Sequence, residues 1–185
     1  PNNYTGWHLS YENNGKMGLY IQEDVSSGLS AYAEIDYIYN EWFHLVAVFD
    51  AGESVNIYIN GELVESNPTD LSYLSDNTAP FMISSIETPG SWVWNGMLDD
   101  MFLFDDALND NQISDIFNDG VDISQESLEA FWAFNSGEGN ILYDHSGNGN
   151  HGTINGATWV EYIEGGCTDS LAENYNEDAE VDDGS

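Results

Sequence analysis

Apolar and polar positions along residues 41–66 follow the pattern of a three-strand antiparallel meander. Trp42 to Phe49 is a nearly unbroken apolar run rich in strand formers, and it ends at the turn cluster Asp50-Ala51-Gly52. Val55, Ile57 and Ile59 then alternate with Asn56, Tyr58 and Asn60, the period of a strand with one wet face. Asn60-Gly61 is the dipeptide that best tolerates the positive φ angles of a type I′ hairpin turn. A sheet with one apolar face must bury it against a second layer, so the pattern predicts a β-sandwich.

The same logic extends along the chain. Trp7 to Gln22 reads as two short strands around Asn13-Asn14-Gly15, and Leu29 to Tyr39 as another. Asn67 to Ala79 is a polar loop. Phe81 to Ile86 and Trp94 to Phe104 are further strand candidates, separated by Thr88-Pro89-Gly90-Ser91. Strand parity groups Asp99 with Met101 and Leu103, which would turn its carboxylate inward toward a partner. His44 shares parity with Val46 and Val48 and is expected as a buried, hydrogen-bonded core histidine. His44, Ile57 and Met101 are expected to meet in one interior. One helix is marked: Asn109 is a good N-cap with Gln112 in capping-box position, Leu108 and Ile113 form a hydrophobic staple, and Asn118-Asp119-Gly120 stops it. Strand character returns from Leu128 to Phe134, before a turn-rich stretch from Asp144 to Trp159.

Charge narrows the function. Thirty-four Asp and Glu face a single basic residue, Lys16, for a formal net charge of −33. Such a surface repels a phosphate backbone, which excludes nucleic acid, and it disfavours anionic membranes. No run approaches the roughly 18 apolar residues of a membrane span. Hydrophobic content of 41%, with 14% aromatic, supplies a genuine core. Most of the carboxylates solvate the surface, and compact oxygen-rich loops are where calcium would sit. The chain opens in mid-pattern without a start Met and reads as a piece of something longer, so its lack of a leader says nothing about secretion. Cys167 is the only cysteine, which rules out an internal disulfide.

Three motifs carry a resemblance. Trp42-Phe43-His44-Leu45-Val46-Ala47-Val48, followed by Ile57-Tyr58-Ile59-Asn60-Gly61, resembles the middle of laminin-G-like domains of the concanavalin A-like lectin/glucanase superfamily. Gly96 to Phe104 with Ala107-Leu108 and the helix is similar to that family's closing strand and terminal helix. Phe131-Trp132-Ala133-Phe134 with Asp144 to Gly152 is similar to the segment that opens such a domain, although here it follows the closing helix. It either begins a next repeat or docks into this sandwich as a permuted strand, and docking is favoured because first and last strands are neighbours in such folds. The tail from Gly166 to Ser185 resembles short motifs between repeats of large secreted bacterial surface proteins, where a second Cys follows the final Gly-Ser. That resemblance implies an extracellular setting and a disulfide partner for Cys167 lost to truncation.

The expected object is therefore an all-β, concanavalin A-like jelly-roll β-sandwich with one short helix. Residues 1–125 form its body with the first strands missing, 126–163 the strand and Gly/Asn-rich loop, and 164–185 an acidic linker. The resemblance implies a monomeric module of a secreted or cell-surface protein that binds glycan or protein with calcium assistance. Asp144, Asn148, Asn150 and Asp99 are the candidate calcium ligands. Trp92, Tyr37 and Tyr39, with Tyr32, are the candidate ligand-stacking aromatics. Two alternatives stand beside this reading, a structural spacer repeat and a glucanase-type enzyme. Enzymes of this superfamily align three carboxylates on one strand. Glu34-Ile35-Asp36 begins that pattern, but Ile38 and Tyr39 occupy the place of the acid/base group, so no enzyme is expected.

Overall fold

A computed structural model of the chain describes residues 6–12, 14–22, 31–74, 79–84 and 94–160, with the backbone of 165–166 and 181–182. Strands β1 (Gly6–Tyr11), β2 (Lys16–Gln22) and β3 (Ala31–Asp36) form one antiparallel sheet in the order β1-β2-β3. Strands β4 (Leu45–Asp50), β5 (Ser54–Ile59) and β6 (Glu62–Pro68) form the predicted meander. Its hairpin turn holds Asn60 at φ 51° and Gly61 at φ 81°, the positive pair that this dipeptide accommodates.

The two sheets bury alternate residues against each other. Leu19 and Ile21 of β2 and Ala31 and Ala33 of β3 pack on Val55 and Ile57 of β5, with Leu45, Ala47 and Phe49 alongside. The opposite face of the meander is covered by helix α1 (Asp110–Asp119). Asn109 caps it, accepting from the Asn111 and Gln112 N–H groups while Gln112 accepts from the Asn109 N–H, so the capping box is complete. Leu108, Ile113 and Ile116 meet Val48 and Tyr58 in a second cluster. The Tyr58 hydroxyl donates to Asp110 Oδ1 at 2.7 Å and pins the helix to β5. Burial, then that bond and the Asp110 charge, push the Tyr58 phenol up to about 12.

A third cluster surrounds β7 (Met101–Phe104) and β8 (Leu128–Trp132), which pair antiparallel. Met101, Leu103, Ala130, Trp132, Leu142 and Ile83 belong to it. Short strands β9 (Ile141–Leu142) and β10 (Gly152–Thr153) pair beside it. Gly165–Gly166 (β11) and Val181–Asp182 (β12) form a two-residue parallel pair.

Several expectations are corrected here. His44, Ile57 and Met101 do not share one interior. Ile57 lies between the sheets, His44 stacks on Phe117 of α1 (centroids 5.7 Å apart), and Met101 joins the β7–β8 cluster. The cause is that β4 and β5 bury both of their faces, one on the facing sheet and one on the helix. His44 is half-buried and its Nδ1 finds no hydrogen-bond partner among the described residues, contrary to the bonded histidine expected. Residues 81–84 are not a strand, and the long strand expected from Trp94 shrinks to Met101–Phe104. Asp100 sits at φ 43°, which breaks the parity that was to turn Asp99 inward, and Asp99 is exposed.

Candidate functional site

Aromatic residues gather at the end of the first sheet, where β1 finishes and β3 runs out into residues 37–40. The Tyr37 N–H donates to the Gly15 carbonyl at 3.2 Å, which fixes the start of that exit. Tyr37 then lies edge-on to Tyr11, with centroids 4.5 Å apart at 62°, and Tyr39 lies edge-on to Tyr37 at 5.6 Å and 77°. Trp94 closes the group against Tyr11 at 4.5 Å. Tyr39 is 68% exposed, while Tyr11, Tyr37 and Trp94 are half-buried beneath it. The exposed ring thus rests on Tyr37, which packs in turn on Tyr11 and through it on Trp94. The Trp94 Nε1 is buried without an acceptor among the described residues. A Cβ added at Gly96 would come 2.7 Å from that nitrogen, so glycine is required there to seat the indole.

The outer face of the same sheet carries aromatic and polar groups of its own. Cross-strand register places His8 opposite Tyr20, and Tyr20 opposite Tyr32. Their rings stack at 5.2 Å and 6.3 Å. The Tyr20 hydroxyl donates to Glu34 Oε2 at 2.9 Å, and the Ser10 hydroxyl donates to Glu12 Oε1 at 2.6 Å. Partial burial raises the Tyr37 phenol, with the neighbouring Tyr39 hydroxyl and Glu12 adding to the shift. Burial raises Tyr20 further, because its bond to Glu34 and the nearby Glu12 also oppose ionisation. The Tyr20 and Tyr37 phenols are therefore neutral donors at physiological pH. Lys16 is bound to Asp36 at 2.8 Å beside this surface.

Of the aromatics proposed from the sequence, Tyr37 and Tyr39 come together and Tyr32 stands 45% exposed on the adjoining sheet face. Trp92 lies outside the described residues, as does Cys167. Tyr11 and Trp94 were missed as members of the group. Trp94 reads in sequence as the start of a strand, and only the tertiary approach of its segment to β1 joins it to Tyr11. A shallow cleft of about 470 Å³ lies elsewhere, lined by Asp50, Asn56, Tyr58 and Asp110 among others, but its Tyr58 hydroxyl and Asp110 are already bonded to each other.

The proposed calcium residues have a different fate. Asp144 is buried, 7% exposed, and its carboxylate is saturated. Oδ1 accepts from the Phe131 and Ser146 N–H groups, and Oδ2 accepts from the Ser146 hydroxyl and the Asn150 N–H, all within 2.8–3.0 Å. Burial alone would raise this carboxyl, but those four donors outweigh it and hold it well below the usual carboxylate range. The Asn148 amide donates to the Leu128 and Glu129 carbonyls, and the Asn150 amide donates to the Glu129 carbonyl. These side chains seal the outer edge of β8. A calcium ion needs six to eight oxygens, and as arranged Asp144 has no lone pair left to offer. Asp99 is exposed and accepts from the Asp100 N–H. Among the described residues no three His, Cys, Asp or Glu side chains gather to hold a metal ion. The donor set does not fit calcium.

Comparisons with known proteins follow the same lines. The laminin-G family model described as the concanavalin A-like lectin/glucanases superfamily matches residues 1–114. The chain belongs to that superfamily, and its paired antiparallel sheets with one short helix are a concanavalin A-like β-sandwich. Among solved structures, a candidate carbohydrate binding protein from Bacteroides ovatus superposes with a TM-score of 0.56 at 17% identity. The alignment covers 84% of this chain and 52% of that protein, so the chain spans about half its length. An S-layer domain-containing protein from Clostridium thermocellum aligns over 63% of this chain and 58% of its own, at 23% identity and a TM-score of 0.36. At that score it supports no argument. No curated protein sequence matches. Among the described residues no helix is long and apolar enough to cross a membrane.

Proposed function

We propose that this domain is a non-catalytic recognition module that binds an uncharged glycan on the Tyr11–Tyr37–Tyr39–Trp94 face. The observation that carries the reading is the free ring of Tyr39 standing on a packed aromatic base. A rigid exposed ring offers a stacking surface for the apolar face of a pyranose at little cost in side-chain entropy. Glu12 and the Tyr37 hydroxyl near it supply an acceptor and a donor for sugar hydroxyls. The Bacteroides ovatus protein, with a shared fold and a carbohydrate-binding name, supports the same ligand class.

Charge sets the specificity. Uronic or sulfated glycans would meet carboxylates without a free cation to receive them, because the one basic side chain is paired to Asp36. Binding proceeds without calcium, since Asp144 is already satisfied from within the protein. No hydrolysis follows. Glu34 and Asp36 are engaged by Tyr20 and Lys16, and the two residues beyond them on which a third carboxylate is required are Ile38 and Tyr39. The setting is extracellular, within a longer bacterial surface protein.

A glycan array probed once with calcium and once with EDTA tests this. Retention of neutral glycans under both conditions, lost in Tyr39→Ala, is the expected result. Silence under both conditions overturns it and leaves the module a spacer. Retention abolished by EDTA would return calcium to the site, and turnover of a β-glucan would make the protein an enzyme.

A further inference from the structure

The family match stops at residue 114, inside α1, yet β7 is paired with a strand that lies beyond it. Met101 faces Trp132, Phe102 faces Phe131 and Leu103 faces Ala130 across that pair. The Phe102 and Phe131 rings stack at 4.6 Å. Trp132 lies nearly parallel to Phe81 at 5.6 Å, and Phe81 touches Trp7 of β1 at 5.7 Å. Residues 128–160 therefore cover apolar surface on two separated stretches of the matched region, around residues 81–83 and 101–104, and Phe81 carries the contact on to Trp7.

The segment is also complete on its other side. The outward Phe131 N–H goes to Asp144, the Phe131 carbonyl accepts from the His145 N–H, and the Glu129 carbonyl takes Ser146, Asn148 and Asn150. The Trp132 indole donates to the Asn150 carbonyl, and the Trp159 indole donates to the Gly139 carbonyl. A strand with one edge satisfied by its own following loop keeps a single edge for pairing, and that edge is on β7.

We propose that residues 128–160 are a self-organised complement of the sandwich, and that the β7 edge is an acceptor for this segment of the same chain, held by non-covalent contacts alone. The domain is thus defined by residues 6–160, and a piece cut at the end of the family match exposes an unpaired edge beside Phe81 and Met101. The interface is aromatic where Trp132 meets Phe81, and hydrogen-bonded along the strand, the mode by which extended segments add to sheet edges.

The test uses the intact chain with a protease site placed in the exposed connection at residues 121–126. After cleavage, the two pieces should co-elute at micromolar concentration as a one-to-one pair, with unchanged tryptophan emission, and separate only in denaturant. Trp132→Ala in the cleavable chain should release the smaller piece at concentrations where the parent pair holds. Separation of the cleaved parent pieces without denaturant overturns the proposal. A cleaved complex containing two copies of each piece also overturns it, by assigning the acceptor edge to a second copy.

Discussion

The loop at residues 144–151 and the tyrosine face beside β3 are both polar, aromatic-flanked surfaces, yet they use their functional groups in opposite ways. In the loop, Asp144, Ser146, Asn148 and Asn150 all turn back on β8, and the carboxylate has a donor on each lone pair. On the tyrosine face, Tyr39 and Tyr32 leave ring surface in solvent. A group already satisfied within the fold contributes stability, and a rigid group left open is available to a ligand. Asp144, the residue most suggestive of metal chemistry in the sequence, therefore belongs to the architecture. The tyrosines, which look like ordinary rim packing, are the surface on which the proposed glycan binding rests.

Substitutions can break this contrast at either end. Asp144→Ala strands three backbone N–H groups at a buried site and should cost about 3 kcal/mol in urea unfolding, leaving the tyrosine face intact in glycan titrations of the folded fraction. The pH dependence sharpens the same point. The folded Asp144 carboxyl titrates well below the unfolded value of about 3.9, so its stabilisation is complete above that pH and drains away as pH falls toward the folded value. Denaturation measured from pH 5 down to pH 2 should show this acid loss in the parent and less of it in Asp144→Ala. A variant as acid-sensitive as the parent would remove Asp144 from the account.

Smaller effects lie on the open surface. Tyr39→Ala should weaken neutral-glycan binding by about 1 kcal/mol, roughly fivefold, in calorimetric titration, while its unfolding midpoint stays within about 0.5 kcal/mol of the parent. A matching loss of stability would make Tyr39 a packing residue. Added sodium chloride should raise the thermal midpoint slightly, because the −33 charge repels itself and salt screens it. A midpoint that falls with salt would show that attractive pairs outweigh that repulsion.

Local signals were legible in the sequence, and long-range ones were not. Asn60-Gly61 and the Asn109–Gln112 box act within four residues, and both hold in the structure. The start of β7 was misplaced because nothing in an alternating run announces that Asp100 adopts a left-handed backbone. The single shared interior failed because β4 buries both faces, a fact set by where α1 lands. Asp144 was singled out as chemically special for sound reasons, but its first donor, Phe131, lies 13 residues upstream. Tyr37 and Tyr39 could be picked from strand-end aromatics, whereas Tyr11 and Trp94 join them only after folding.

The Lys16–Asp36 pair has a practical consequence. It holds the only lysine side chain of the protein immediately before the turn-out to Tyr37. Amine-directed tethering to a sensor chip or bead through that side chain would draw the molecule down beside the aromatic platform and press it against the support. Apparent inertness toward sugars after such coupling would then reflect how the protein was anchored, so immobilisation has to come from another part of the chain.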